Sequence, residues 1–156
     1  MRWRPVGSAR VPRGPQPRLE QQAGDTLVSR SVLVLDDNPD AAAALARVAA
    51  AAGVRATVLT DSRSFAATFR ALAPGAVILD VMMPDQDGID VLREIAAVAP
   101  ETPVLLVTGH GEVWARMARD IGGILGLARV EMATKPVSRA AVEAFLASAV
   151  LGPAAC

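Results

Sequence analysis

The sequence predicts an α/β protein, in which a doubly wound sheet of five parallel strands carries helices on both faces. Five short apolar segments alternate with five segments of helical periodicity, and this alternation is typical of a parallel sheet with right-handed crossovers. Several of the apolar segments are hydrophobic at nearly every position, as strands buried on both faces are. The 156 residues are enough for one domain with a substantial core.

The strands are predicted from apolar runs that end in polar residues or turns. The run SVLVL is followed by two aspartates, and the run AVIL is followed by Asp80 and a turn with Pro84 and Gly88. Short runs bounded in this way are typical of buried strands. The predicted strands cover residues 31–35, 54–59, 76–80, 104–107 and 129–134.

The helices are predicted from their start signals and from apolar residues spaced three or four apart. Asn38 is a favoured N-cap and Pro39 suits the first helical position, while Ser138 is a second N-cap. In the fourth helix, Trp114 and Met117 are expected to lie in the core. The predicted helices cover residues 40–52, 65–72, 89–98, 113–127 and 139–150.

Two terminal segments fall outside this pattern. Residues 1–30 are rich in Pro, Arg, Gln and Gly and lack periodicity, so we expect a disordered basic tail. The domain is expected to cover residues 31–151, with a short C-terminal tail over 152–156. The formal net charge is zero, and no apolar run approaches the roughly 20 residues of a membrane span. We therefore expect a cytoplasmic protein without nucleic-acid or membrane partners.

Four of the predicted strands end in residues that carry charge or a hydroxyl group: Asp36-Asp37, Asp80, Thr108 and Lys135. The carboxyl ends of parallel strands meet at one edge of the sheet, where open α/β proteins bind ligands. Carboxylates about 4 Å apart repel one another by roughly 4 kcal/mol at an effective dielectric constant near 20. A divalent cation such as Mg²⁺ would relieve this repulsion. Carboxylate, cation, hydroxyl and ammonium together indicate phosphoryl transfer with an aspartate as nucleophile.

These motifs resemble those of the receiver domain of bacterial response regulators, in particular stand-alone receivers of the chemotaxis type. The matching segments are VLVLDDNPD, VILDVMMPDQDG, VTGHG and TKPV, and their order and approximate spacing agree over nearly all of the chain outside the tail. The resemblance implies a flavodoxin-like sheet of strand order 2-1-3-4-5.

The resemblance also implies a phosphoacceptor and a metal site. Asp80 would accept a phosphoryl group from a phosphohistidine of a histidine kinase or a histidine phosphotransfer protein. Asp37 and Asp80 would bind Mg²⁺, or Mn²⁺, together with the backbone carbonyl of Met82. Asp36 would act on the metal mainly through a bound water.

Three further residues would complete the switch. Thr108 and Lys135 would hold the phosphoryl oxygens, and Met132 stands where the family usually has a tyrosine or phenylalanine. Met132 departs from that pattern, which places the usual output face in doubt. Lys135 is also the only lysine of the chain, and a site that needs a compact ammonium group explains why one is kept among arginines.

The favoured interpretation is a single-domain response regulator that signals through altered protein binding or onward phosphotransfer. We do not expect an enzyme, apart from catalysis of its own phosphotransfer and dephosphorylation. The downstream partner is unknown, and a homodimer is left open. One alternative is a scaffold that works without phosphorylation. A disfavoured alternative is an aspartyl-nucleophile phosphatase, because such enzymes need an acid two residues after the nucleophile, where Met82 follows Asp80. A Rossmann-type nucleotide binder would need a G-x-G-x-x-G motif after the first strand, where none occurs.

Overall fold

A computed structural model describes residues 30–84, 88–109 and 111–152 of the chain. Nearly all of the predicted N-terminal tail and most of the predicted C-terminal tail lie outside the described residues. The strands are β1 (Ser31–Leu35), β2 (Arg55–Leu59), β3 (Ala76–Asp80), β4 (Val104–Thr108) and β5 (Val130–Thr134). The helices are α1 (Pro39–Ala51), α2 (Phe65–Leu72), α3 (Gly88–Val98), α4 (Gly111–Ile124) and α5 (Arg139–Ala149), with a 3₁₀ turn at Ser62–Ser64 before α2.

The five strands form one parallel sheet in the order β2-β1-β3-β4-β5. This confirms the predicted strand order 2-1-3-4-5. All neighbouring pairs are parallel, and their registers place the last residues of adjacent strands side by side, for example Leu35 beside Leu59 and Asp80 beside Val107. The carboxyl ends of the strands therefore share one edge, as the sequence predicts.

The helices cover both faces of the sheet, as predicted, because inner-strand side chains alternate between two apolar clusters. On one face, Val34 and Ile78 pack with residues of α1 and α5, including Leu45 and Phe145. The other face packs against α2, α3 and α4, through residues such as Phe65, Ile95 and Ala118. In the described part of the chain, no helix combines the length and the apolar character needed to cross a membrane.

Local signals in the sequence explain where α1 begins and where α4 ends. The Asn38 side chain accepts hydrogen bonds from the N–H groups of Asp40 and Ala41, which caps α1 as predicted. Helix α4 ends at Ile124 rather than at the predicted residue 127. Its backbone turns at Gly126, whose φ of +84° favours glycine, and the N–H of Leu127 returns to the Gly122 carbonyl.

The expected burial of Trp114 and Met117 in the core is wrong, because both side chains are substantially exposed. Among the side chains of α4 that the structure describes, the two buried residues are small, Ala118 and Gly122. A Cβ atom added at Gly122 would lie 2.7 Å from Cγ2 of Val130 on β5. The helix therefore sits on the sheet through its small residues, which directs its larger apolar side chains outward.

Candidate functional site

Side chains from the ends of β1, β3 and β5 meet at the carboxyl edge of the sheet. Asp36 and Asp37 follow β1, Asp80 closes β3, and Lys135 follows β5. Thr108 closes the intervening strand β4, and its carbonyl accepts a hydrogen bond from the Lys135 N–H at 2.8 Å. The structure thus brings the sequence-predicted acids and the single lysine to one place.

The acidic part of the site consists of two buried carboxylates and one exposed carboxylate. Asp36 is 1% exposed and Asp80 is 4% exposed, while Asp37 faces solvent. One carboxylate oxygen from each of the three lies within 4.8 Å of the other two. Burial removes water that would otherwise stabilise these charges, so the cluster requires cationic or hydrogen-bonding partners.

Lys135 supplies one such partner to both buried acids. Its Nζ lies 3.1 Å from Oδ2 of Asp36 and 3.0 Å from Oδ2 of Asp80. The lysine side chain is about one-third exposed, so one end of this ion-pair network opens to solvent. An ammonium group suits the position, because it is a compact charge that can donate to both carboxylates at once.

Backbone N–H groups hold the other oxygen of each buried carboxylate. The N–H of Asn38 donates to Oδ1 of Asp36, and the N–H of Met82 donates to Oδ1 of Asp80, both at 3.0 Å. Each aspartate therefore binds the backbone two residues later, a contact common for Asp at turns. These donors are absent from the expectations drawn from the sequence, although an Asp directly before a turn is a signal for them.

The pKa values of this network shift in the directions that burial and charge pairing dictate. Burial raises the pKa of Asp80, and the nearby charge of Asp36 adds to this, while hydrogen bonds from Met82 and Lys135 oppose it. Burial acts to lower the pKa of Lys135, but the hydrogen bonds and charges of Asp80 and Asp36 outweigh it, so that the pKa is raised. The lysine is thus held in its charged form.

The donor set fits a hard divalent cation. Three carboxylate oxygens within 4.8 Å of one another match the oxygen ligands that Mg²⁺ takes, and the exposure of Asp37 leaves space for retained waters. Lys135 balances only one of the three negative charges, so the cluster keeps excess negative charge. The role of the Met82 carbonyl as a further ligand remains a prediction.

The loop after β3 is fixed by a close backbone approach at Gly88. A Cβ atom at this position would lie 2.9 Å from Cα of Val81, which directly follows Asp80. The N–H of Gly88 also donates to the Val81 carbonyl at 3.3 Å. Glycine at the start of α3 therefore helps to set the position of the segment that carries Asp80 and Met82.

Thr108 and Met132 occupy different surroundings beside this cluster. Thr108 is 1% exposed and lies in register with Thr134 at the end of the sheet. Met132 is half-buried, lies in register with Leu106, and packs against the apolar cluster on the α2, α3 and α4 face. Met132 therefore contributes to packing beneath that face, and its part in switching remains a prediction.

Two open cavities flank the acids. One, of about 240 Å³, lies between the loops after β2 and β3 and is lined by Asp37, Thr60, Asp61, Ser62, Arg63, Met83 and Pro84. The other, of about 260 Å³, lies between α1 and the loop after β5 and is largely apolar, lined by Asp36, Ala41, Ala44, Leu45, Val107, Lys135, Pro136 and Val137. The first cavity thus opens beside Asp37 and the second beside Asp36.

Comparison with known proteins identifies the fold and its family. The family model of the response regulator receiver domain matches residues 32–144, which is more than half of the chain. The chain is 39% identical over 88 residues to the probable transcriptional regulatory protein TcrX of Mycobacterium tuberculosis, a match that covers 56% of this chain and 38% of that protein. It is 37% identical over 82 residues to the C4-dicarboxylate transport transcriptional regulatory protein DctD of Pseudomonas aeruginosa, covering 53% of this chain and 18% of that protein.

The chain thus spans less than half the length of these two relatives. A solved response regulator receiver domain from Bermanella marisrubri shares the fold, with a TM-score of 0.65 and 24% identity over 78% of this chain and 98% of that chain. The five-stranded order and the match to the family model agree with one another. The chain belongs to the response regulator receiver family.

Proposed function

We propose that Asp80 is the phosphoacceptor of a single-domain response regulator in a two-component phosphorelay. A carboxylate oxygen of Asp80 attacks the phosphorus of a phosphohistidine on a histidine kinase or a histidine phosphotransfer protein. The new O–P bond forms as the N–P bond breaks, and the leaving imidazole nitrogen keeps the electron pair and takes up a proton. The product is an acyl phosphate on Asp80.

The observation that carries this proposal is the environment of the Asp80 carboxylate. It is buried at the end of β3, its Oδ2 is 3.0 Å from the Lys135 ammonium, and it shares a cluster with two further acids. Replacing a buried ion pair by apolar residues of similar volume is often neutral or even stabilising, so stability alone is a weak reason for burying these charges. A site that gathers three acids and one cation at an open edge is suited to bind and neutralise a phosphoryl group.

Asp36, Asp37 and Asp80 would hold Mg²⁺ or Mn²⁺, with the Met82 carbonyl as a further ligand. When bound, the cation would neutralise charge that develops on the phosphoryl oxygens. Lys135 would move its hydrogen bond from the Asp80 carboxylate to a phosphoryl oxygen, and the Thr108 hydroxyl would donate to another. Met132 would pass the change toward the α4 face through packing alone, because its thioether is flexible and lacks a hydroxyl group.

Intact-mass measurement after incubation with a small acyl phosphate and Mg²⁺ tests the proposal. The wild-type protein should gain one phosphoryl group, and Asp80→Asn should gain none. Asp90→Asn is a matched control, because Asp90 is an exposed acid on α3 that pairs with Arg93, and it should be phosphorylated like the wild type. An adduct that survives in Asp80→Asn would contradict the assignment, and the absence of any adduct in the wild type would favour a phosphorylation-independent scaffold.

The proposal includes the setting in which the protein works. Membership of the receiver family supports a role as a signalling phosphoacceptor. We infer that the protein acts in the cytoplasm and passes its signal by altered protein binding or onward phosphotransfer. Self-catalysed phosphotransfer and dephosphorylation would be its own chemistry, without a separate enzymatic substrate. Phosphotransfer profiling against purified histidine kinases and histidine phosphotransfer proteins would identify the donor.

A further inference from the structure

Strand β2 forms one edge of the sheet, and half of its backbone groups point away from the rest of the sheet. Within the described part of the chain, β2 pairs with β1 alone. The N–H of Arg55 donates to the carbonyl of Arg30, just before β1, at 3.0 Å. Because backbone groups alternate between the two sides of a strand, those of Ala56 and Val58 point outward. The outer side of β2 therefore presents two donors and two acceptors.

The two edge strands of the sheet differ in how they are protected. Charged side chains on an edge strand discourage pairing with another chain, and β5 carries Glu131 at its second position in an ion pair with Arg129. The single charged residue of β2 is Arg55, at its start. Thr57 and Val58 favour strands, and Val58 is 38% exposed. Strand β2 is thus the edge that is open to another strand.

We propose that β2 pairs antiparallel with β2 of a second copy of this chain, which joins the two sheets into one. In the two-fold symmetric pairing, Thr57 lies opposite Thr57 of the second copy. Ala56 of each copy then lies opposite Val58 of the other, and each of these pairs exchanges two backbone hydrogen bonds. All the outward donors and acceptors of β2 find partners in this register.

The neighbouring registers use the edge less well. A shift toward the start of β2 needs the outward groups of Val54, whose N–H already donates to the Ala49 carbonyl at 2.9 Å. A shift in the other direction needs Thr60, which lies beyond the last residue of β2. The register centred on Thr57 therefore needs no backbone groups outside β2.

Charge favours the antiparallel orientation. Residues diagonally opposite in an antiparallel pair are within reach of long side chains. Centring the pair on Thr57 places Arg55 diagonally across from Asp61 of the second copy, and the symmetry repeats this contact. The Asp61 side chain is 46% exposed and pairs with Arg63 of its own chain, so it remains accessible to a second guanidinium. An in-register parallel pairing would instead bring Arg55 beside Arg55 of the second copy.

The contact should be weak and independent of phosphorylation. A strand of five residues is about 17 Å long, so the strand pair falls below the roughly 1,200 Å² typical of stable interfaces. It lies at the edge of the sheet opposite β5, and none of its residues belongs to the acidic cluster around Asp80. The pairing therefore goes beyond the proposed phosphoacceptor function.

Sedimentation equilibrium of the full chain, from roughly 1 µM to 1 mM, measures the association. The average mass should rise from the 16.2 kDa monomer toward twice that value. Val58→Pro should weaken association about tenfold or more, because proline removes the outward N–H. Edge strands tolerate proline where the N–H faces solvent, and circular dichroism verifies that the variant is folded. Val58→Thr keeps the N–H and the branched shape, so this matched control should associate like the wild type.

A second variant tests the charge contact without changing the backbone. Arg55→Glu places a negative charge near Asp61 of the second copy, so association should weaken about threefold or more at low salt and by less at high salt. Arg70→Glu is the control, because Arg70 is exposed on α2, outside the edge, and it should associate like the wild type. Equal effects of the two substitutions would overturn the Arg55 contact.

Disulfide trapping tests the register. In a Cys156→Ser background, Thr57→Cys and Val58→Cys are oxidised separately. Thr57→Cys should give the dominant covalent dimer, because a pair without hydrogen bonds brings opposite Cα atoms to about 4.5 Å, within the range of a disulfide. A larger yield from Val58→Cys would overturn the register.

Two outcomes would overturn the edge pairing itself: a protein that stays monomeric at every concentration, and a folded Val58→Pro variant that associates like the wild type. Asp80→Asn should associate like the wild type, and a loss of association in that variant would overturn independence from phosphorylation. Since sedimentation needs no phosphodonor, failure of the edge pairing is distinguishable from failure of the phosphoacceptor assignment.

Discussion

At the residue scale, the site depends on one ammonium group shared by two buried carboxylates. Lys135 contacts Asp36 and Asp80 at nearly equal distances. Buried ion pairs of this kind add little to stability compared with apolar residues, but removing one partner leaves the other charges buried without compensation. The lysine is therefore both a structural requirement of the metal-free protein and the group best placed to respond to an incoming phosphoryl oxygen.

Replacing Lys135 by Met should destabilise the metal-free protein by about 2–3 kcal/mol. This is less than the roughly 3–5 kcal/mol cost of breaking a fully buried ion pair, because the lysine side chain is partly exposed. Urea unfolding in the presence of a chelator measures this change. When urea unfolding is repeated with Mg²⁺, the metal should raise the unfolding free energy of the variant by more than it raises that of the wild type. Arg47→Met, which removes an exposed positive charge from α1, is the control and should change little. Equal effects of the two substitutions would contradict the shared-cation account.

The raised pKa of Asp80 gives a second prediction at this scale. Because the folded protein binds this proton more tightly than the unfolded chain does, Asp80 lowers the unfolding free energy as pH rises from about its ordinary value of 3.8 through the raised value. Asp80→Asn removes this contribution. The stability of the variant relative to the wild type, measured in chelator, should therefore increase with pH across that window. A difference that stays constant with pH would show that the folded protein leaves the Asp80 pKa unchanged.

At the scale of elements, the packing of α4 against the sheet depends on Gly122. An added methyl group there would meet Val130, so Gly122→Ala should destabilise the fold by about 1–3 kcal/mol through overpacking. Gly123→Ala is a close control, since a Cβ atom at that position meets nothing within 4 Å and alanine favours a helix by up to about 1 kcal/mol. The thermal unfolding midpoint should therefore fall in Gly122→Ala and rise in Gly123→Ala, although the two positions are adjacent. Adding Val130→Ala to Gly122→Ala should recover part of the loss, and failure to recover would place the strain elsewhere.

The same helix shows where sequence reasoning fails. The apolar residues of α4 cover more of its circumference than the sheet can contact, so periodicity predicts a helix without deciding which side faces inward. From their size and spacing, the large residues Trp114 and Met117 are expected in the core. The structure instead buries the small residues Ala118 and Gly122, and the missing side chain of Gly122 allows a close approach to Val130. By contrast, β1, β3 and β4 are apolar at nearly every position. Strands of this kind are buried on both faces, so the sequence does not have to indicate which side faces inward.

At the scale of the whole molecule, the meeting of distant residues follows from topology. Asp36 and Lys135 are 99 positions apart in the sequence, and their side chains meet because parallel strands align their carboxyl ends at one edge. This convergence could be predicted from the alternation of strands and helices, whereas the strand order is implied by the resemblance to receiver domains. The backbone N–H donors to each carboxylate, and the shared position of Lys135, depend on turn geometry that the sequence pattern does not specify.

The excess negative charge of the site predicts that Mg²⁺ stabilises the whole fold. Three carboxylates face one lysine, so a cation bound to the folded chain adds RT ln(1 + [Mg²⁺]/Kd), about 2.7 kcal/mol at a hundredfold excess over Kd. Thermal melts across a Mg²⁺ series should show this rise in the wild type. Asp37→Asn removes the exposed carboxylate of the proposed metal site and should reduce the rise strongly. Asp40→Asn, which changes an exposed acid in the first turn of α1, should keep the rise. An equal loss in both variants would mean that Mg²⁺ acts through general screening of charge and not through binding at the strand ends.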